Sequence, residues 1–200
     1  MDACCEVREI PREQRRVLLV VLWINAAMFL VESVSGVLAR STALFADSLD
    51  MLGDAIVYGV SLYVIGRGVV WQARAALLKG LVMAAFCVGL LVQVALKIAH
   101  GLTPVVEVMG AVGFMAFVAN VVCLALLWAR RGDDVNMRSA WICSRNDVIG
   151  NAAVLVAAAA VAATGSPWPD IVIGLLLASV FGRSAAQVIR EASRAIVAPG

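Results

Sequence analysis

The chain has 200 residues, 62% of them hydrophobic, with a formal net charge of +2 and a mean hydropathy of +0.94. A soluble domain is about 45–50% apolar, so an ordinary soluble domain is excluded and an integral membrane protein is expected. The alternation of a membrane barrel is absent, and the basic residues form no nucleic-acid patch.

A spanning helix needs roughly 20 mainly apolar residues. Six such stretches are predicted, at 17–38, 42–65, 75–99, 104–128, 140–164 and 169–189. The expected fold is an all-α membrane protein, a bundle of six transmembrane helices. Residues 1–16 form an N-terminal segment, 17–192 the transmembrane domain and 193–200 a short tail. The first apolar run is too long for a cleavable signal and lacks a small-residue cleavage site, so it is expected to stay as an anchor.

The N-terminal segment carries adjacent Cys4 and Cys5 beside Asp2 and Glu6, a candidate metal-capture pair or an incidental one. In the first span Asn25 and Glu32 are seven apart on one face and look inward. The second span carries Asp47, Asp50 and Asp54 on one stripe. The second and sixth spans are less apolar than a lipid-facing helix, which suits helices packed inside a bundle. In the third span Gly80, Ala84, Ala85 and Gly89 offer a close-packing face, a possible route to a homodimer. His100, the only histidine, is expected to be an interfacial polar residue. Cys87 and Cys123 read as small core residues. The fifth span carries Cys143, Arg145, Asp147 and Asn151, and the run Ala157–Ala160 suits close helix packing. Five cysteines, with none on the outer loops, argue against a disulfide framework.

Charge placement sets the topology. Arg8, Arg12, Arg15 and Arg16, Arg67, Arg74 and Lys79, Arg130, Arg131 and Arg138, and Arg183, Arg190 and Arg194 fall on one side of a six-span chain. Only Arg40 and Lys97 fall near the other. The positive-inside rule puts both termini in the cytoplasm. A bacterial inner membrane is the expected location.

Ionisable residues at membrane depth mark a functional site by default. Asp50 and Asp54 are four apart, as are Cys143 and Asp147, so each pair lies on one helix face. Two such pairs on facing helices would supply the four ligands of a tetrahedral metal site. The bland alternatives are protonated, hydrogen-bonded acids, acids paired with a base, and an inert packing cysteine. Asp47 lies a turn closer to the outer end and could orient others. Arg145 points away from its helix neighbours Cys143 and Asp147. At that depth it needs an anion, with Glu32 and Asp47 as candidates.

These residues resemble the cation diffusion facilitator family of divalent-metal/proton antiporters. The resemblance rests on Ser41-Thr42-Ala43-Leu44-Phe45-Ala46-Asp47-Ser48, Asp50 and Asp54, preceded by Asn25, Phe29, Glu32 and Gly36. It continues through Asn136-Met137-Arg138-Ser139-Ala140, Asp147 and Asn151 to Trp168-Pro169-Asp170 and Gly174, and covers roughly 17–192. It implies a transport site of Asp50, Asp54, Cys143 and Asp147. There are three departures: Cys143 stands where the family has a histidine, Arg130–Asp134 replaces a histidine-rich loop, and the cytoplasmic C-terminal domain is expected to be lacking.

The implied activity is efflux of Zn2+ or Cd2+ in exchange for H+, with no enzyme chemistry and no prosthetic group. Carboxylates and thiolates bind metal only when deprotonated, so metal and protons compete. A thiolate favours soft ions and a tetrahedral set favours Zn2+ or Cd2+ over Mg2+ and Ca2+. Three carboxylates and one thiolate exceed the metal's charge, so Arg145 is expected to offset part of it, or one ligand to stay protonated. The partners are then metal ions, protons, the lipid bilayer and possibly a second copy. The competing readings are a thiol-dependent mercury-type uptake carrier using Cys4, Cys5 and Cys143, a metal-gated channel or structural subunit, and an intramembrane hydrolase using its aspartates.

Overall fold

The computed structural model describes residues 12–63, 69–132 and 135–197. Cys4 and Cys5 lie outside them. Six helices follow in chain order: α1 (Arg12–Leu38), α2 (Thr42–Tyr63), α3 (Val69–His100), α4 (Val106–Trp128), α5 (Val135–Thr164) and α6 (Trp168–Val197). Several helices overrun the apolar spans. α1 begins five residues early and α6 continues to Val197, because arginine, glutamine and alanine propagate a helix where the apolar run ends. At the other extreme, α4 starts only at Val106, after Pro104.

Among the described residues, five helices hold a segment long and apolar enough to cross a membrane; α2 does not. Its three aspartates break the apolar run, and its position explains how they are tolerated. Ala43, Leu44, Ala46, Leu49 and Met51 of α2 are all at most 1% exposed, and Val57 is its one exposed large apolar side chain among the described residues. The exposed Trp23, Leu30, Val88, Phe114, Ile149 and Leu176 belong to the other five helices. α2 is therefore solvated by protein, while its neighbours supply the lipid-facing belt.

Helix pairing is α1 with α2, α3 with α6 and α4 with α5, and α2 also touches α3, α5 and α6. The α1–α2 turn closes with Ser41 N–H donating to Gly36 O at 2.9 Å and Arg40 N–H to Val37 O at 3.2 Å. Arg40 takes the left-handed position (φ 55°) that such a helix end usually gives to glycine. Two glycines allow backbone contact on either side of α2. A Cβ on Gly36 would lie 2.8 Å from Phe45 N, and one on Gly174 would lie 2.7 Å from the Thr42 carbonyl carbon. Gly174→Ala is expected to destabilise the bundle by about 1–3 kcal/mol through overpacking, read as a lower thermal midpoint of the purified protein.

The small-residue face of α3 is partly used inside the chain. A Cβ on Gly80 would meet Ile189 Cγ1 at 2.6 Å, so Gly80 seats α6 rather than a second copy. Gly89 has open space around it.

Candidate metal centre

Helical spacing alone aims Asp50 and Asp54 to one side of α2. Across from them stands Asp147 on α5. One carboxylate oxygen from each of Asp50, Asp54 and Asp147 lies within 4.8 Å of the other two. Asp54 and Asp147 are buried and Asp50 is half-buried. The three line a cavity of about 440 Å³ whose wall also includes Cys143, Asn146 and Met83.

Cys143 lies one turn from Asp147 and faces the same cavity, but it is exposed and is not one of the three converging groups. Of the four residues expected at one site, the structure brings three carboxylates together and leaves the Cys143 thiol on the adjoining wall. A helix-spaced pair shares a face, but its two side chains reach different depths across the gap.

The surrounding residues divide. Asn151 Nδ2 donates to Asp47 Oδ1 at 3.2 Å and to the Asp147 carbonyl at 3.0 Å, joining α2 to α5 beside the three carboxylates. Glu32 is fully buried and its carboxyl lies beside that of Asp47. Among the described residues, neither Glu32 oxygen, nor Asp47 Oδ2, nor Asn151 Oδ1, all buried, meets a hydrogen-bond donor at bonding geometry. Asn25 is elsewhere in the core: its Nδ2 donates to Val21 O at 2.9 Å and faces Cys123 Sγ at 3.9 Å.

Arg145 corrects an expectation. It is exposed, and its guanidinium lies 5.7 Å from the ring centroid of Trp141, one turn away. Glu32 and Asp47 are sealed inside the bundle, and among the described residues ion pairs join Lys97 to Asp170 and Arg130 to Glu13. An outward arginine on an aromatic face meets its electrostatic need locally.

Tyr58 is a residue that charge and membrane depth do not single out. Its hydroxyl donates to Asp54 Oδ2 at 2.7 Å and its side chain is 2% exposed. The signal was present as another four-residue spacing, Asp54 to Tyr58. Such an outer partner fixes which carboxylate oxygen is left for a ligand. Tyr58→Phe is expected to weaken divalent-metal binding at this cluster by about tenfold without loss of fold, measured by equilibrium titration of the purified protein.

Residues 18–197 match the cation efflux transmembrane domain family. The chain is 22% identical over 181 residues to the metal cation efflux system protein CzcD of Cupriavidus metallidurans, covering 84% of this chain and 57% of that protein. It is 24% identical over 189 residues to the zinc transporter ZitB of Yersinia pestis, covering 87% of this chain and 60% of that protein. The matches thus span less than two thirds of those relatives. By name, both relatives are transport proteins. With nine-tenths of its length matched, its helices apolar and its acidic cluster inside the bundle, the chain belongs to the cation efflux, or cation diffusion facilitator, family of multi-pass membrane transporters.

Proposed function

We propose that this chain moves Zn2+ or Cd2+ out of the cytoplasm in exchange for protons, across a bacterial inner membrane. The observation that carries the reading is the convergence of Asp50, Asp54 and Asp147 from two helices within 4.8 Å at a cavity wall. Three carboxylates so close repel one another unless protons or a cation neutralise them. That makes the cluster a place where a divalent ion and protons displace each other. Cys143, on the same wall, is the side chain available as a fourth donor, and its thiolate suits soft ions. The names of the relatives, a metal cation efflux protein and a zinc transporter, agree with this cargo.

Exchange follows from ligand chemistry. Facing the cytoplasm, the deprotonated cluster takes metal. Facing outward into a more acidic medium, it takes protons and releases metal. Helices rocking about a site near mid-membrane provide alternating access. Glu32 and Asp47, buried and incompletely hydrogen-bonded, are suited to hold a proton beside the site. Metal affinity should rise with pH, because every ligand must lose a proton to bind.

The test is zinc and cadmium flux in proteoliposomes with and without an imposed pH gradient. Flux that follows the gradient and disappears in Asp54→Ala is the expected result. Gradient-independent flux would indicate a channel, and full flux in Asp54→Ala would remove the site.

A further inference from the structure

At the outer end of the bundle, Asp170 of α6 is fully buried and reaches across to the first turn of α2. Its Oδ1 accepts from Ser41 Oγ at 2.6 Å and from the Ala43 backbone N–H at 3.1 Å. Its Oδ2 accepts from the Thr42 backbone N–H at 2.7 Å and from Thr42 Oγ1 at 2.6 Å. The Thr42 hydroxyl also lies 3.0 Å from the Asp170 carbonyl. Lys97 of α3, 2% exposed, pairs with Oδ2 and donates to Arg40 O at 2.7 Å. A carboxylate here does what a capping residue does, satisfying helix N–H groups that have no partner within their own helix. In this chain it comes from another helix, 128 residues from Thr42.

The arrangement bears on the metal centre because α2 supplies two of its three converging carboxylates. Asp50 is eight residues beyond Thr42, about 12 Å along the axis. A slip of one residue would turn Asp50 and Asp54 by about 100° and remove them from Asp147. The Gly174 and Gly36 contacts hold α2 sideways but donate no hydrogen bond. The bonds to Asp170 are directional, and they tie the start of α2 to α3 and α6.

We propose that Asp170, held by Lys97, is a positioning residue for transport: it sets the register of α2 and so the approach of Asp50 and Asp54 to Asp147. This rests on the transport reading above. An asparagine at 170 would turn amide hydrogens toward a ring of donors, so the carboxylate is required and not merely a polar group. Loss of Lys97 leaves the donors of Ser41, Thr42 and Ala43 in place and should matter less.

The test is equilibrium Zn2+ and Cd2+ binding to the purified full chain, with the transport KM and maximal rate in proteoliposomes. Asp170→Asn is expected to weaken metal affinity by about ten- to a hundredfold and to raise the KM, as loss of a supporting shell does. Lys97→Met should weaken it by only about threefold, keeping the cap. Should Asp170→Asn fail to fold, the paired variant Ser41→Ala with Thr42→Val removes the hydroxyl donors, keeps the backbone ones, and should weaken affinity by about tenfold. A lower thermal midpoint with unchanged affinity and KM in the folded variants would overturn the proposal and leave Asp170 a structural cap. Absence of metal binding by the unmodified chain would instead overturn the transport reading.

Discussion

Asp54→Asn should abolish metal-coupled flux and lower zinc affinity by at least about a hundredfold, since loss of a supporting partner alone costs about 10–100-fold. The substitution keeps the shape of the side chain and the oxygen that Tyr58 can reach, but removes the charge. Asp54 is 7% exposed and its ligand atom lies within 4.8 Å of those of Asp50 and Asp147. Removing one of three converging charges also relieves repulsion in the metal-free cluster. The variant should therefore fold at least as well as the parent while losing function. Loss of activity accompanied by a collapsed thermal midpoint would instead mark Asp54 as a structural residue. Asp147→Asn should behave alike, because it faces Asp54 across the same gap. Retained flux in both would move the transport path elsewhere.

The second large effect concerns selectivity. Cys143→His should lower the ratio of cadmium to zinc transport by about tenfold, a difference of about 1.4 kcal/mol, because imidazole is a harder donor than thiolate. Cys143 lines the cavity beside Asp147 but is exposed, so the prediction also tests whether its sulfur joins the carboxylates when an ion is bound. An unchanged ratio, with zinc flux intact, would mean that the three carboxylates select the metal alone. Cys143→Ser gives a second reading: it removes the thiolate at nearly constant volume and should lose cadmium preference without acquiring zinc preference.

Much of this protein was legible in its sequence. Six helices and their order are legible in the sequence, five of them from apolar length, although α2 falls short of that length. The pairs Asp50 with Asp54 and Cys143 with Asp147 follow from helical periodicity, and α2 as an inner helix follows from three aspartates that lipid would not tolerate. The helix ends were read less well. An apolar window marks the bilayer, whereas α1 and α6 continue through residues that favour helix in water as well. Depth alone points Arg145 to a buried anion, whereas its exposed guanidinium lies over Trp141, four residues away.

What the sequence by itself determined is therefore local: which segments are helical and apolar, and which side chains share a helix face. Those properties depend on neighbours one or two turns away. The tertiary structure alone decided which faces meet. It brought Asp147 to Asp50 and Asp54 and left Cys143 on the adjoining wall. It also seated Asp170 of α6 on the first turn of α2 with Lys97 behind it. Each of these depends on the axial register and rotation of one helix against another. That register is set by glycine contacts and by buried hydrogen bonds between residues up to 129 positions apart, and no periodicity within a single helix encodes it.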